Sequence, residues 1–302
     1  MNSKSIRPFA ALILLSCLWG YNWVVMKYGL MDASAFQFGA LRTFLGALCL
    51  LLLLVVLRKP LRPQEVPTLI LLGILQTCGF TGLIIWALVH GSAGKTAVLT
   101  YTMPFWVMVM AWLFLREKIG YTQKVAIILS LTGLLLIVDP IHMGSDGFSI
   151  LLAILAGVFW AFAVIIAKKL HHRVPDLDLL SLTAWQMLFG SLPLVILALW
   201  VPAPPIHWTS RFIASVAFNA IFCNALAWLL WLYALKRLAA GVASMTSMLA
   251  PLFGVLAAWV QLGERPMPHE FCGMLLIGVS LIMISTHAMS QHQEIESAMG
   301  QD

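Results

Sequence analysis

Polar and apolar positions segregate along this chain into long blocks. Ten runs of largely apolar residues occupy 8–28, 34–57, 66–89, 95–115, 121–138, 147–168, 178–200, 211–235, 241–262 and 268–286. Crossing about 30 Å of hydrocarbon takes roughly 20 helical residues. The pattern therefore predicts an all-α integral membrane protein with ten transmembrane helices. The connectors are short and rich in turn formers, as in "RKPLRPQEVP", "DPIHMGSDG" and "VPAPPIHW". None could form a soluble domain. The polar end, residues 288–302, is expected to be a disordered tail.

Composition agrees with the pattern. Hydrophobic residues make up 61% of the chain and charged ones only 10%, against about 45–50% and about 25% in globular domains. The first apolar run is longer than a signal-peptide core and is expected to be kept as a span. The net charge of +6 needs no nucleic-acid partner, because cytoplasmic loops of membrane proteins collect Lys and Arg. With the amino terminus inside, Lys27, Lys95, Arg211 and Arg265 fall outside, Arg42 falls within a span, and the other 13 cations fall inside. That bias fits ten crossings with both termini cytoplasmic in a cell's inner (plasma) membrane.

The chain also repeats itself. Residues 84–118 align without a gap on residues 231–265, pairing Ala87 with Ala234, Pro104 with Pro251, Trp112 with Trp259 and Glu117 with Glu264. Likewise "WGYNWVVMK" matches "WAFAVIIAK", pairing Trp19 with Trp160. Chance likeness among oily segments does not readily set Pro, Trp and Glu at a fixed offset. Two repeats follow, residues 1–140 and 147–287, with five spans each. An odd number of spans forces the copies into opposite orientations, the arrangement in which many secondary transporters alternate access around a midplane site.

"WGYNWVVMK", "ALRTFLGALCLLLL" and "YALKRLAAGVASMTSMLAPLFGVLAAWVQLGER" together resemble the drug/metabolite transporter superfamily, in its ten-helix EamA-type family. The resemblance spans essentially the whole chain. It implies an exporter of amino acids, their derivatives, related metabolites or drugs. One departure is the first-half turn "REKIG", where the second half has the family's "GERPM".

Polar groups inside the spans mark candidate substrate contacts, because such groups avoid lipid and face the protein interior. Asn22 shares a helical face with Trp19 and Met26; it either lines a cavity or joins helices by an interhelical hydrogen bond. Gln76 and Phe80 form a short stripe in the third span, and Asn224, Trp228 and Trp231 a longer one in the eighth. Gln186 and Asn219 are further mid-span amides, and Trp160 stands opposite Trp19 by the repeat. Pro104 and Pro251 are expected to kink their spans as hinges or gates, freeing the carbonyls of Thr100 and Ser247 beside Tyr101. Arg42 is the clear ionisable group inside a span. It could meet a substrate carboxylate, although the family resemblance favours a structural anchor. Lys27 and Lys95 are expected to snorkel. Glu117 and Glu264 are expected to fix turns.

No Asp or Glu falls deep in a span, which argues against a carboxylate-based proton antiport of cations. The five cysteines show neither disulfide nor metal spacing. No metal, cofactor or catalytic constellation is indicated. The expectation is a secondary carrier, not an enzyme, exporting small metabolites such as amino acids, with the bilayer and a small-molecule substrate as partners and a monomer possible. Alternatives are multidrug or lipophilic-cation efflux, and a non-transporting or lipid-handling membrane protein.

Overall fold

The computed structural model describes residues 3–116, 120–138, 147–235 and 249–299. All their regular structure is helical. The elements are α1 (Ser3–Gly29), α2 (Ala35–Val56), α3 (Val66–Leu72), α4 (Gly82–His90), α5 (Ala93–Thr100), α6 (Met103–Leu115), α7 (Tyr121–Val138), α8 (Gly147–Arg173), α9 (Leu179–Trp200), α10 (Ser210–Ala217), α11 (Ala227–Leu235), α12 (Leu249–Leu262) and α13 (Pro268–Met299). Wider π-helical turns, Gly73–Thr81 and Phe218–Leu226, join α3 to α4 and α10 to α11.

Helix starts follow local chemistry. Ser34 caps α2 in a full capping box with Gln37, and Ser92, Asp178 and Thr209 accept from the first turns of α5, α9 and α10. Each satisfies amide donors that have no partner within the helix. At the far end of α12, Gly263 takes a left-handed φ of 68°, the usual glycine stop. The matching stop of α6 is Arg116, held at φ 57°. The departure visible in "REKIG" is thus a side chain placed where glycine is the relaxed choice.

Among the described residues, seven helical stretches are long and apolar enough to cross a membrane, and Tyr121–Leu136 and Ala250–Leu262 are shorter apolar helices. The chain is therefore a multi-pass membrane protein, with large apolar side chains such as Leu199 and Val260 left bare on its outside. Residues 288–299 are helical. They continue α13, because "AMSQHQEIESAM" carries neither Gly nor Pro to stop a helix already under way.

Lipid is as apolar as leucine, so association inside a membrane rests on close packing. Small residues provide it. A Cβ on Gly190 would fall 2.1 Å from the Gly73 carbonyl oxygen, and one on Gly46 2.4 Å from the Asn224 amide nitrogen. These contacts press α9 against the first π-turn and α2 against the second. Gly133 abuts Gly273 in the same way, joining α7 to α13.

Helices of the first 140 residues pair with helices of the remainder. Gln37, at the start of α2, reaches the Pro204 carbonyl beyond the end of α9, whereas Lys59, beyond the end of α2, pairs with Asp178 at the start of α9. Hence α2 and α9 run antiparallel. So do α7 and α13, since Gly120 lies by His287 and Gly133 by Gly273. The largest buried cluster gathers Trp23, Phe38, Ile85 and Leu88 from the first part with Phe212 and Ala258 from the second.

Candidate functional site

Between these interleaved helices lies a chamber of about 310 Å³. Of the eleven side chains singled out as substrate contacts, ten line it: Trp19, Asn22, Arg42, Gln76, Phe80, Thr100, Tyr101, Trp160, Asn224 and Trp228. Ser247 lies outside the described residues. Pro104 stands in the first turn of α6, and Pro251 is the third described residue of α12 and is not among the residues lining the wall. The expected kink at Pro104 is instead a break. Helix α5 ends at Thr100, Tyr101–Thr102 form a turn, and proline opens α6, where its missing N–H costs nothing. Thr102 holds the break by donating to the Leu99 carbonyl at 2.6 Å and accepting from Trp106 Nε1. Thr100 and Tyr101 thereby reach the chamber from a discontinuous span.

The π-turns shape two further walls. Ala227 N–H bonds back five residues to the Phe222 carbonyl, which releases the Cys223 carbonyl from the α pattern. Trp19 Nε1 donates to that carbonyl at 3.2 Å, so α1 of the first part is fastened to a helix of the second. Asn224 donates from Nδ2 to the Arg42 carbonyl at 3.0 Å, fixing the backbone that carries the guanidinium. Asn224 is thus both wall and fastener. Sequence periodicity gives no sign of the π-turns. Met26, Thr43, Met187 and Cys223 also line the chamber; apart from Met26 nothing in their spacing sets them apart from lipid-facing neighbours.

The wall is aromatic with a sparse polar set. Phe80 and Trp160 meet with centroids 4.6 Å apart, and Trp19 meets Trp228 edge-on at 6.2 Å. Among the described residues Arg42 is the one cation on the wall, and no Asp or Glu lines it. Arg42 Nη1 lies 2.9 Å from the Met26 sulfur. Four wall residues each hold one buried polar atom without a partner: Asn22 Oδ1, Arg42 Nε, Thr100 Oγ1 and Gln186 Oε1. Buried polar groups are ordinarily hydrogen-bonded, and these four lie around one cavity.

The chamber's two ends differ. A second cavity of about 260 Å³ shares Gln76, Gln186, Trp228 and Trp231 with it and continues to His171, Leu177 and Leu179, at the α8–α9 turn. The α1–α2 turn, away from that passage, is tied down by buried hydrogen bonds. There Asp32 accepts from Arg211 Nε and Nη2 and from Thr209 Oγ1, each at 3.0 Å, and His207 N–H donates to the Asp32 carbonyl. Lys27 does not snorkel; its Nζ donates to the Leu88 and Gly91 carbonyls at the end of α4, where a cation meets the helix dipole favourably. Lys95 pairs with Glu270 at 2.9 Å. Glu264 reaches across to cap α5, accepting from the Ala93 and Gly94 amides at 3.0 Å each. Glu117 lies outside the described residues.

A polytopic helical membrane protein with an aromatic, polar-studded central chamber and a side passage has the anatomy of a transporter. The family model for EamA-like transporters matches the chain twice, over residues 8–139 and 147–286, and the chain belongs to that family. It is 28% identical to "Uncharacterized transporter YoaV" of Bacillus subtilis over 284 residues, covering 92% of this chain and 96% of that one. It is also 28% identical to a "Probable amino-acid metabolite efflux pump" of Salmonella typhimurium, covering 90% of each. A protein of the same printed name from Escherichia coli is 26% identical. A solved crystal structure superposes with a TM-score of 0.66 at 16% identity, covering 96% of this chain and 99% of that one, which speaks for a shared fold.

Proposed function

We propose that this protein exports small amphipathic metabolites, amino acids or their derivatives, across the inner (plasma) membrane by alternating access. Its two five-helix halves lie in opposite orientations, cross the membrane ten times in all and keep both termini in the cytoplasm. The antiparallel runs of α2 against α9 and of α7 against α13 support the inverted arrangement. The lysine and arginine bias supports the orientation. With that orientation the Asp32–Arg211 contact is on the outer side, and the passage to His171 leads inward.

The observation that carries the reading is the chamber itself, built by both halves and lined by four partnerless polar atoms. Its volume sits at the small end of the roughly 300–1,000 Å³ usual for ligand sites, which suits an amino acid better than a bulky drug. The printed names of the Salmonella and Escherichia coli relatives point the same way. Radiolabelled leucine flux in proteoliposomes tests it. Flux is expected, falling by about tenfold or more for Asn22→Ala and for Tyr101→Ala, as when a polar substrate contact is removed. Unchanged flux in both variants removes these residues from the site, and tolerance to lipophilic dyes without amino-acid flux favours drug efflux.

A further inference from the structure

The two halves supply unlike residues at matching stations. Counted from the caps Ser34 and Asp178, Arg42 and Gln186 are each the eighth residue along, and both line the chamber. One half therefore contributes a fixed positive charge and the other a neutral amide. Arginine stays protonated in proteins, and an unpaired buried cation is costly. Among the described residues no acidic side chain lines the chamber to balance it. The balancing charge has to arrive with the solute.

The planar guanidinium matches a carboxylate by two parallel hydrogen bonds. Arg42 Nε, one of its five donor positions, has no partner. A single cation neutralises one negative charge, which fits a carboxylate better than a phosphate dianion. The partnerless oxygens of Asn22 and Gln186 complement this, because they accept and an ammonium donates. The Phe80–Trp160 pair offers an apolar wall for the rest of the molecule. A second positive charge would meet Arg42 with no acid to offset it.

We propose that Arg42 is the carboxylate anchor of the chamber, and that the solutes carried are zwitterionic α-amino acids with uncharged, apolar side chains; this rests on the exporter reading above. Lipophilic cations and basic amino acids are then poor substrates. The test uses the full-length protein in proteoliposomes, with counterflow of radiolabelled leucine and competition by leucine, leucinamide, leucinol and lysine. Leucinamide and leucinol, which lack the carboxylate, are expected to compete about 10- to 100-fold less well than leucine, the range for a charge-assisted contact. Lysine is expected to compete poorly. Arg42→Gln is expected to abolish the preference for leucine over leucinamide, and Arg42→Lys to restore part of it. The wild-type competition stands even where a variant fails to fold. Equal competition by leucine and leucinamide, with flux intact, overturns the anchor and leaves the exporter standing. Absence of leucine counterflow altogether overturns both.

Discussion

The two stretches that match the same family model, residues 8–139 and 147–286, spend their side chains differently, most clearly at two helix turns. At one end the α1–α2 turn is clasped to the start of α10 by Asp32 and Arg211, with the carboxylate side chain only 6% exposed and satisfied by three side-chain donors. At the other, the end of α8 meets the start of α3 through Arg173 and Glu65, 59% and 32% exposed, alongside the pair Lys59–Asp178, 32% and 37% exposed. Matching locations thus carry a buried, multiply bonded clasp and a solvated one. Exposed ion pairs contribute about 0–1 kcal/mol, whereas hydrogen bonds to a buried charge contribute about 1.5–3 kcal/mol each. The second cavity, lined by His171, Leu177 and Leu179, lies on the side of the solvated clasp.

The largest effect should come from the packing that both halves share. Gly190→Val drives a branched side chain into the Gly73 backbone, where no rotamer relieves the overlap. Loss of the monodisperse peak in size-exclusion chromatography is expected, and a well-folded variant would remove the glycine contact from the account. Next comes the buried clasp. Asp32→Ala is expected to lower stability by about 2 kcal/mol, discounted because Arg211 is half exposed. Glu65→Ala at the opposite end should cost about 0–1 kcal/mol. Thermal unfolding in detergent compares the two, and equal losses would erase the distinction between the ends.

Arg116 and Gly263 give a smaller contrast with the opposite sign. Arg116→Gly places glycine in the left-handed position that its counterpart already fills and is expected to stabilise by about 0.5–1 kcal/mol. An unchanged or lower melting temperature counts against strain at that stop. Smallest is the pH response of the solvated clasp. Burial alone would raise the Asp178 carboxyl, but hydrogen bonds from Lys59 and from the Ser181 amide outweigh it and hold it below the ordinary 3.8. A depressed carboxyl contributes stability above its unfolded value and loses it as pH falls through the folded one. The Asp178→Asn variant should therefore differ from wild type at neutral pH and converge with it only in acid below about pH 4. Divergence confined to acid would reverse the assignment.

Much of the chamber was legible in the sequence, because an amide, a guanidinium or a threonine inside an apolar run has nowhere favourable to face except the interior. Asn22, Arg42, Gln76 and Asn224 were found on that ground alone. Apolar wall residues such as Met187 and Ile84 were not, since lipid and cavity are equally served by them. The π-turns escaped because a one-residue widening leaves apolar periodicity nearly unchanged; at the second, Trp19 takes the carbonyl it releases. Pro104 marks an interruption in the sequence, but sequence does not say whether proline kinks a helix from within or opens one. Lys27 and Asp32 were ordinary span-end charges on paper. Their burial comes from helices far along the chain, at Leu88 and Arg211.

If one end of the chamber opens only as the other shuts, distances across the two ends must change in opposite senses. Spin labels at Met31 and Trp208, both exposed by the buried clasp, and at Leu61 and Asp176, exposed by the solvated one, report on this by pulsed electron spin resonance in nanodiscs. On adding leucine, a population should emerge in which the first pair is farther apart and the second closer together. Distances that stay fixed at both ends while leucine flux proceeds, or that lengthen together, would contradict the alternating carrier.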